Sequence, residues 1–585
     1  MASAWALAQG IAQLSPVVGA PGWVTRWFIV AAAIGLPFLL AFAWFYEITP
    51  QGLKRESEVD PAESITRRTG KKLDRWIIAA LAIAVVLLLT HTLVSRHDAA
   101  TTASTASDAG PAPSALVTDK SIAVLPFADL SAAKDQEYFT DGISEELLSL
   151  LAKVPELRVI GRTSSFQFKG KNEDLRDIAR KLGVAHLLEG SVRKSGNRIR
   201  ITTRLVRADD GSDLWTETYD RNLDDIFSLQ DEIAGEVVKA LRVKLLGAAP
   251  KVRQTDPEAY ALFLQGRQLA RQGNPEALRQ SKALLEKALT IDPSYAPAWE
   301  ELAWNSISEG SLAQISPDSA FRLARERVGK ALAVDPDYAP AHATLGTLAN
   351  LTGDLAGAAA HFERALALAP GDRDVRVGAT MLLQSLGRLD EAIALLEYTV
   401  ARDPVDVGAL HRLATLFDYA GRLDEAIPLY RTVIGLSPGR ISTHFGLARV
   451  LLQKGQPEAA LAEVEHEPDE GWRLIASGMA YQMLGRKADA DAALATLQTR
   501  HRTEAPYNIA YMHAFRGDAD RAFEWLDKAV EYSDPGQSEI VAEPFFAKIR
   551  DDPRWLPFLR KQGKAPEQLA AIKFEVKLPP PPSEP

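Results

Sequence analysis

Residues that could carry chemistry are few in this sequence, and they do not gather into a catalytic pattern. Residues 435–439 read GLSPG and match the GxSxG elbow that presents a nucleophilic serine. That elbow requires a strand before the serine and a helix after it, whereas Pro438 follows a helical pattern. The match is therefore interpreted as a turn. The sequence contains no GxGxxG, GxxxxGK(S/T) or HExxH motif, which removes the commonest phosphate-binding loops and the two-histidine zinc helix.

The remaining ionisable residues also give no catalytic or metal-binding arrangement. The chain has no cysteine, which excludes disulfides, thiol catalysis and most structural zinc sites. Its 10 histidines are scattered without the spacing of metal ligands. Asp141, Glu145 and Glu146 lie at the start of a predicted helix, where Asp141 is a plausible cap and the helix dipole favours carboxylates. We therefore predict no catalytic residue, no metal and no cofactor.

The elements that position side chains in the C-terminal half follow a period of 34 residues. Four glycines and four prolines keep this period: Gly353, Gly387, Gly421 and Gly455, with Pro336, Pro370, Pro404 and Pro438. Such a period is the signature of tetratricopeptide repeats, in which pairs of helices stack into a solenoid. Fainter copies on both sides predict about eight repeats over residues 255–535. A C-terminal cap and a disordered Pro-rich tail are predicted over residues 536–585.

Small and apolar residues recur at helical spacing on both helices of each repeat. In the repeat that ends at Pro370, Gly346 and Ala349 lie on the first helix and Phe362 on the second. The same register predicts that Ala426 lies in the tight contact between two helices of one repeat. It also predicts that His411 faces the groove with its side chain free of the core.

The groove of such a solenoid is lined mainly by positions two, five, nine and twelve of the first helices. In three successive repeats these positions hold Asp374, Val377, Met381 and Gln384; Gly408, His411, Thr415 and Asp418; and Ser442, Phe445, Arg449 and Leu452. Some family members bind a terminal carboxylate with Lys and Asn at positions five and nine, and those residues are absent from these positions. A partner segment that is extended or helical, with apolar anchors, is therefore expected.

An α/β domain is predicted over residues 120–247. Buried or alternating runs predict strands at SIAVLPF, LRVI and DLWTETY, and a hairpin that turns at residues 195–197. Helical periodicity predicts helices after Asp141, at 173–182 and near 225–244. On the second hairpin strand, Arg198, Arg200 and Arg204 share one face. They could bind an anionic partner, or they could form a solvated sheet face, which is the favoured interpretation.

Two apolar runs near the N-terminus predict transmembrane helices. Residues 27–46 carry no charge, and residues 76–94 form a second apolar run. Lys and Arg are concentrated in the intervening segment 47–75, which predicts a cytoplasmic loop and places the bulk of the chain in the periplasm of a bacterial inner membrane. Residues 97–119, rich in Ala, Ser, Thr and Pro, predict a flexible linker. The alternative is a buried hairpin within a soluble protein.

Two stretches resemble a known bacterial domain. YFTDGISEELLSLLAKVPELRVIGRTSSFQFKGK and LGVAHLLEGSVRKSGNRIRITTRLVRADDGSDLWTETYDR resemble the TolB amino-terminal-like (FlgO-like) domain. That resemblance implies a bacterial membrane-anchored protein in which this domain precedes tetratricopeptide repeats. Relatives often carry a nucleotide-cyclase or winged-helix domain before the membrane helix, and this sequence contains neither.

The sequence thus predicts a multidomain chain that has N-terminal transmembrane helices, a small α/β domain and an all-α tetratricopeptide-repeat solenoid. A net charge of −9 argues against non-specific nucleic-acid binding. The leading hypothesis is a membrane-tethered scaffold that binds protein or peptide partners and performs no covalent chemistry. A second hypothesis is a signalling receptor that communicates through the membrane helices with a separate cytoplasmic effector. An enzyme with an unrecognised site in the α/β domain is a third.

Overall fold

The computed structural model describes residues 46–49, 52–55, 120–154, 157–171, 173–241, 253–312 and 314–577. The chain forms two compact units, Met1–Gly110 and Pro111–Pro585. In the first unit, strands β1 (Tyr46–Thr49) and β2 (Gly52–Arg55) pair in antiparallel register. The two predicted membrane helices, residues 27–46 and 76–94, lie outside the described residues except at one position. Tyr46, the last residue of the first predicted helix, is instead the first residue of strand β1. Among the described residues, no helix combines the length and the apolar character that a membrane crossing requires.

The second unit begins with a mixed α/β domain. Its elements are β3 (Ser121–Val124), β4 (Ala128–Asp129), α1 (Glu137–Ala152), β5 (Arg158–Val159), α2 (Arg162–Phe166), α3 (Leu175–Leu182), β6 (His186–Ser195), β7 (Arg198–Arg207), β8 (Asp213–Asn222) and α4 (Ile226–Ala240). The strand order is β5-β3-β6-β7-β8, and β4 pairs with β6. Strand β3 is parallel to both of its neighbours, β5 and β6. Strand β7 is antiparallel to both of its neighbours, β6 and β8.

The β6–β7 hairpin follows the sequence prediction. Ser195 pairs with Arg198, and Gly196 takes a φ of +58°, which a two-residue turn of this kind requires. Along β7, Ile199, Ile201, Thr203 and Leu205 are fully buried. On the opposite face, Arg198 and Arg200 both bind Asp220 of β8. The arginines therefore form a paired, solvated sheet face, as the favoured interpretation predicts.

Two features of the α/β domain differ from the prediction. Helix α1 begins at Glu137, so Asp141 is not its cap and lies one turn inside it. There Asp141 is buried and accepts a hydrogen bond from Lys169 at 2.6 Å. Helix α2 was not predicted, since five residues are too few to show a helical period.

Eight helix pairs follow within the described residues 253–312 and 314–577. They are α5 (Pro257–Ala270) with α6 (Pro275–Ile291), α7 (Ala296–Ser311) with α8 (Pro317–Val334), α9 (Ala339–Leu351) with α10 (Leu355–Leu368), α11 (Arg373–Ser385) with α12 (Leu389–Arg402), α13 (Val407–Tyr419) with α14 (Leu423–Leu436), α15 (Thr443–Gln453) with α16 (Pro457–Val464), α17 (Glu470–Met483) with α18 (Lys487–Arg500), and α19 (Pro506–Arg516) with α20 (Ala519–Glu531). We number these pairs as repeats 1 to 8. Each has a first helix and a second helix.

The periodic glycines and prolines occupy the two kinds of turn. Gly353, Gly387, Gly421 and Gly455 lie between the helices of repeats 3 to 6, with φ between +72° and +82°. Residues with a side chain rarely adopt this conformation, which explains the choice of glycine. Each periodic proline lies two residues after the end of a second helix, where proline prevents the helix from continuing.

Small residues allow the helices of neighbouring repeats to meet closely. A Cβ atom on Gly346 or Gly378 would lie within 2.8 Å of the Phe362 ring, so this ring is held between first helices α9 and α11. Ala426 is completely buried, as its register predicts. Because these positions have no free space around them, a larger side chain there would force the helices apart.

A C-terminal segment, residues 535–577, packs back onto the solenoid. It contains the 3-10 helices Pro535–Glu539 and Pro544–Ile549, then α21 (Trp555–Lys561) and α22 (Pro566–Ala570). Phe545, Phe546 and Ile549 join the core of repeats 6 to 8. Phe574 is also buried, and its carbonyl accepts a hydrogen bond from Arg388 at 2.7 Å. The segment is therefore packed against the solenoid as far as Val576.

Candidate partner-binding groove

The first helices of the repeats line the groove in which the sequence predicts a binding site. Two other parts of the chain contact these helices or the loops that precede them. The α/β domain contacts repeats 1, 4 and 5, and the C-terminal segment contacts the first helices of repeats 3 to 6 and 8. The groove is therefore partly occupied by the chain itself.

A buried ion-pair cluster joins the α/β domain to repeat 1. Glu145 of α1 binds Arg267 of α5 at 3.1 Å, Arg271, the residue after α5, at 2.8 Å, and also Arg162. Burial by itself would raise the pKa of Glu145, but Arg267 and the other two guanidinium groups lower it to about 2. Beside this cluster, a Cβ on Gly142 would lie 2.5 Å from the Leu264 side chain, so α1 and α5 are in close contact.

A second contact joins the α/β domain to the loop before repeat 5. The Ser164 hydroxyl donates to the Asp403 carboxylate at 2.7 Å, and the Gly161 amide donates to it at 3.0 Å. Arg402 donates to the Leu157 carbonyl at 3.1 Å. Burial raises the pKa of Asp403 to about 6. The α/β domain thus spans the distance between repeat 1 and repeat 5 and fixes them relative to each other.

The C-terminal segment closes the groove of the later repeats through Arg449. Its guanidinium binds Asp418 at 3.0 Å and takes both oxygens of Glu543, at 3.0 and 3.1 Å. It also lies over the Phe545 ring at 4.5 Å. Nearby, the Tyr419 hydroxyl donates to Glu539 at 2.7 Å. Because Arg449 and both carboxylates are buried, this network is internal to the protein.

Five of the predicted partner-binding residues are buried in this arrangement: Gln384, Asp418, Phe445, Arg449 and Leu452. Asp418 and Arg449 belong to the closed network, and Phe445 stacks on Trp472 with ring centroids 4.5 Å apart. Binding of a separate partner by these residues remains a prediction. In the structure their neighbours are other parts of the same chain.

His411 does not lie free of the core, so that part of the register prediction was wrong. Its ring packs edge-on against Tyr430 with centroids 5.6 Å apart, and its Nε2 atom lies 3.4 Å from the Ser442 carbonyl oxygen. Burial lowers the pKa of His411 to about 4. Thr415, half-buried as well, donates to the His411 carbonyl at 3.0 Å. Both side chains stabilise the inner wall of repeat 5.

The first helices of repeats 2 to 4, α7, α9 and α11, retain an accessible surface that we term the open groove. Val377 and Met381 of α11 are half-buried there, and Trp304 of α7 is 41% exposed. Glu300 lies one turn before Trp304, and its carboxylate accepts a hydrogen bond from the Thr344 hydroxyl at 3.0 Å. Burial and the neighbouring Glu301 raise the pKa of Glu300 to about 8. The open groove therefore combines apolar side chains with a poorly solvated carboxyl group.

The acidic residues of the open groove and the aspartates of the inter-repeat loops were missed at the sequence level. Asp292, Asp335 and Asp403 each precede a proline of the repeat, and each binds a residue of the α/β domain or of the connection after it. The recurrence of an aspartate directly before these prolines could have indicated a contact with the α/β domain. Aspartate is, however, also a common turn residue, so its presence in a loop does not by itself indicate such a contact.

Within the described ranges, no three His, Asp or Glu side chains are arranged to hold a metal ion. Ser437, the serine of the GxSxG match, follows the last residue of α14 and lies in the turn that the sequence predicts. No strand precedes it. The geometry required of a nucleophile elbow is thus missing at this serine.

Models of known protein families match both the α/β region and the helical region of the second unit. Tetratricopeptide-repeat models match residues 320–373, 349–416 and 419–466. A model of the second domain of HilA/YgeH-like transcriptional regulators matches residues 118–236. The C-terminal region is therefore a tetratricopeptide-repeat solenoid, and a small α/β domain precedes it.

One similar protein, from Rhizobium meliloti (strain 1021), is described as "Putative adenylate cyclase 3". It is 42% identical over 216 residues, which are 34% of this chain and 37% of that protein. The match thus spans little more than a third of either chain.

Similar solved structures include two tetratricopeptide-repeat proteins. YrrB, described as having an unusual peptide-binding site, is 19% identical over 36% of this chain and 96% of its own, with a TM-score of 0.25. PilF of Pseudomonas aeruginosa is 17% identical over 35% of this chain and 91% of its own, with a TM-score of 0.29.

Proposed function

We propose that this protein is a membrane-tethered scaffold that binds a protein partner in the open groove of its solenoid and performs no covalent chemistry. The observation that carries the proposal is the accessible apolar surface of Trp304, Val377 and Met381 on the first helices of repeats 2 to 4. Tetratricopeptide-repeat solenoids form extended concave surfaces that serve in binding. The α/β domain, which we propose to be TolB amino-terminal-like, fixes the groove by holding repeats 1 and 5.

The test is affinity purification of the tagged full chain from its source cells after chemical crosslinking. Met381→Asp should abolish recovery of a partner, because it places a charge on the apolar surface of the open groove. Leu556→Asp is the matched control, since Leu556 is 42% exposed on α21. Equal recovery with both variants, at unchanged melting temperatures, would reject binding in the open groove.

Membrane tethering with the solenoid in the periplasm is a separate part of the proposal, supported by the Lys and Arg residues of segment 47–75. The cysteine-free chain makes it testable with single cysteines at Ser64 and Ser114. An impermeant thiol reagent applied to spheroplasts should label position 114 and spare position 64. The reverse labelling pattern would reject this orientation.

A second candidate function is signalling, in which the outer domain senses a ligand and communicates through the membrane helices with a separate cytoplasmic effector. Two observations favour it: the similarity to a protein named as an adenylate cyclase and the match to a domain of transcriptional regulators. Deletion of the gene should then change the cellular cyclic AMP level or the transcript profile, and restoration of the chain should reverse the change. An unchanged level and profile would remove this candidate.

A further inference from the structure

The loop between repeats 5 and 6, residues 437–442, departs from the pattern of the other repeats. Helix α13 begins at Val407, three residues after Pro404, whereas α15 begins at Thr443, five residues after Pro438. More of the chain therefore stays outside the helix here than before repeat 5. A Cβ atom on Gly439 would meet no described atom within 4 Å beyond its chain neighbours, so there is free space beside the loop.

Ser442, the last residue of this loop, has a φ of +68°, which residues with a side chain rarely adopt. Its amide donates to the Glu467 carboxylate at 2.9 Å, and its carbonyl oxygen lies 3.4 Å from Nε2 of His411. These neighbours hold the residue in its conformation, as is common where a loop serves a function. The preceding residue, Ile441, is 54% exposed, the highest exposure of a large apolar side chain among the described residues.

Two arginines without ion pairs lie beside this loop. Arg440 precedes Ile441, and its Nε atom is buried without a hydrogen-bond partner in the described part of the chain. Arg412 of α13 is half-buried, and no ion pair or side-chain hydrogen bond joins it to a described residue. Burial lowers the pKa of Arg412, although Glu539 opposes this shift, and Arg373 and Arg440 lower that pKa further. Arg412 and Arg440 are thus close enough to repel each other.

The carboxylates nearest to these arginines are engaged by other groups. Glu539 accepts a hydrogen bond from the Tyr419 hydroxyl at 2.7 Å. Glu467 accepts two backbone amides at the start of repeat 6, at 2.9 and 3.2 Å. Among the charged groups that act on Arg412, Glu539 attracts it, whereas two guanidinium groups repel it. A further carboxylate between the two unpaired arginines would remove their repulsion and accept charge-assisted hydrogen bonds from both.

We propose that Arg412 and Arg440 bind a side-chain carboxylate of a partner protein, with Ile441 packed against an apolar residue next to it. This site goes beyond the proposed function, because it lies between repeats 5 and 6 and does not use the open groove. Charge complementarity selects an acidic partner segment. The apolar contact with Ile441 and the net charge of −9 favour a protein over a nucleic acid, which requires a larger basic surface.

The test is fluorescence anisotropy with the full chain in detergent micelles and short labelled peptides whose ends are blocked. The peptides are built from Gly, Ala and Leu and differ at two positions, which hold Glu, Gln or Lys. The Glu peptide should bind about tenfold more tightly than the Gln peptide, as expected for hydrogen bonds to a charged group, and the Lys peptide should bind least. A Gln peptide with a free C-terminal carboxylate should bind like its blocked form. Tighter binding of the free form would assign the anion to a chain terminus and contradict the proposed side-chain carboxylate.

Four variants locate the binding site. Arg412→Gln and Arg440→Gln should each remove most of the preference for Glu and leave the affinity for the Gln peptide unchanged. Arg431→Gln makes the same charge change at an exposed residue of α14 and should leave all affinities unchanged. Ile441→Ser should weaken the binding of the Glu and Gln peptides by the same factor, because it acts on the apolar contact. Melting temperatures serve as a check that each variant folds.

Equal affinity for the Glu and Gln peptides, no binding of any peptide, or a preference for Glu that survives both arginine variants would overturn the inference. Tighter binding of a labelled single-stranded oligonucleotide than of the Glu peptide would also overturn it. The preference for Glu should persist in Met381→Asp, and its loss there would assign the preference to the open groove instead. The crosslinking experiment decides the proposed function independently, since it does not depend on the sequence of a peptide.

Discussion

The two halves of the solenoid groove differ although they are built from the same repeat. In repeats 5 and 6, the C-terminal segment covers the first helices through buried side chains, and the charges there are paired through Arg449 with Asp418 and Glu543. In repeats 2 to 4, residues 535–539 contact α9 and α11, but Trp304 of α7 is 41% exposed, and the neighbouring Glu300 forms no ion pair with a described residue. The position of a residue in the repeat therefore does not determine whether it is available for binding. What covers each repeat decides this, and the covering segments are distant in sequence.

The closed half should respond most strongly to loss of its buried cation. Arg449→Met leaves Asp418 and Glu543 buried without a counter-charge, which should lower the free energy of unfolding by about 3–5 kcal/mol. Urea denaturation measures the effect, and hydrogen exchange should show faster exchange in residues 535–549. Arg486→Met removes an exposed pair with Asp489 and should cost no more than about 1 kcal/mol. If the two variants unfold at the same urea concentration, the closed half is not held by this network.

Overpacking of the closed half should have the next largest effect. Ala426 is completely buried between the helices of repeat 5, so Ala426→Leu should cost about 1–3 kcal/mol. Ala356→Leu is the control, because Ala356 is exposed on the second helix α10 and the change should remain within about 0.5 kcal/mol. The urea midpoint measures both. A silent Ala426→Leu variant would mean that the repeat register is shifted.

Replacement of His411, which lies in repeat 5 next to the open half, should lower the free energy of unfolding. Because its ring packs on Tyr430, His411→Ala should cost about 1 kcal/mol at neutral pH, more than an exposed residue would. The folded pKa is lowered to about 4, so the unfolded chain binds the proton more readily. The difference between wild type and variant should therefore be largest above pH 6.5 and shrink as the pH falls towards 4. Arg440 and Arg412 both face this ring and contribute to the lowered pKa.

A difference that stays constant across this pH range would contradict the burial of His411. The comparison requires melting curves of both proteins at matched ionic strength. The pH series for His411→Ala should be read against Ala356→Leu, which introduces no titrating group.

The open half should differ from the closed half in its response to pH. The folded pKa of Glu300 is raised to about 8, with Glu301, Asp374 and Tyr338 as its ionisable neighbours. Its contribution to stability is therefore complete below the unfolded pKa and is lost as the pH rises towards 8. The melting temperature of the wild type should fall relative to that of Glu300→Gln between pH 5 and 8. A constant difference would show that Glu300 is solvated and that the open half has no unusual carboxyl group.

The sequence was most informative where structure depends on local pattern. The 34-residue period located the turns at Gly353 and Gly387, since a positive φ and a helix end are local requirements. Alternation along β7 likewise located the buried face of the sheet, at Ile199 and Ile201. In both cases the residue type reports directly on its own backbone or its own exposure.

The candidate site was less predictable because it depends on contacts between distant segments. Arg449 occupies a groove position, and no local pattern links it to Glu543. Nor does any periodicity reveal that Ser164 of the α/β domain binds Asp403 in the loop before repeat 5. The register predicts which residues face the groove, and the structure adds which first helices are covered by other parts of the chain.

The most direct test of the central difference is site-specific photo-crosslinking of the full chain in its source cells. A benzophenone amino acid replaces Trp304 in the open half in one strain and Phe445 in the closed half in another. We expect a crosslinked adduct with a separate protein from position 304, and only crosslinks within the chain from position 445. A partner adduct from position 445, with none from position 304, would contradict the assignment of the open and closed halves.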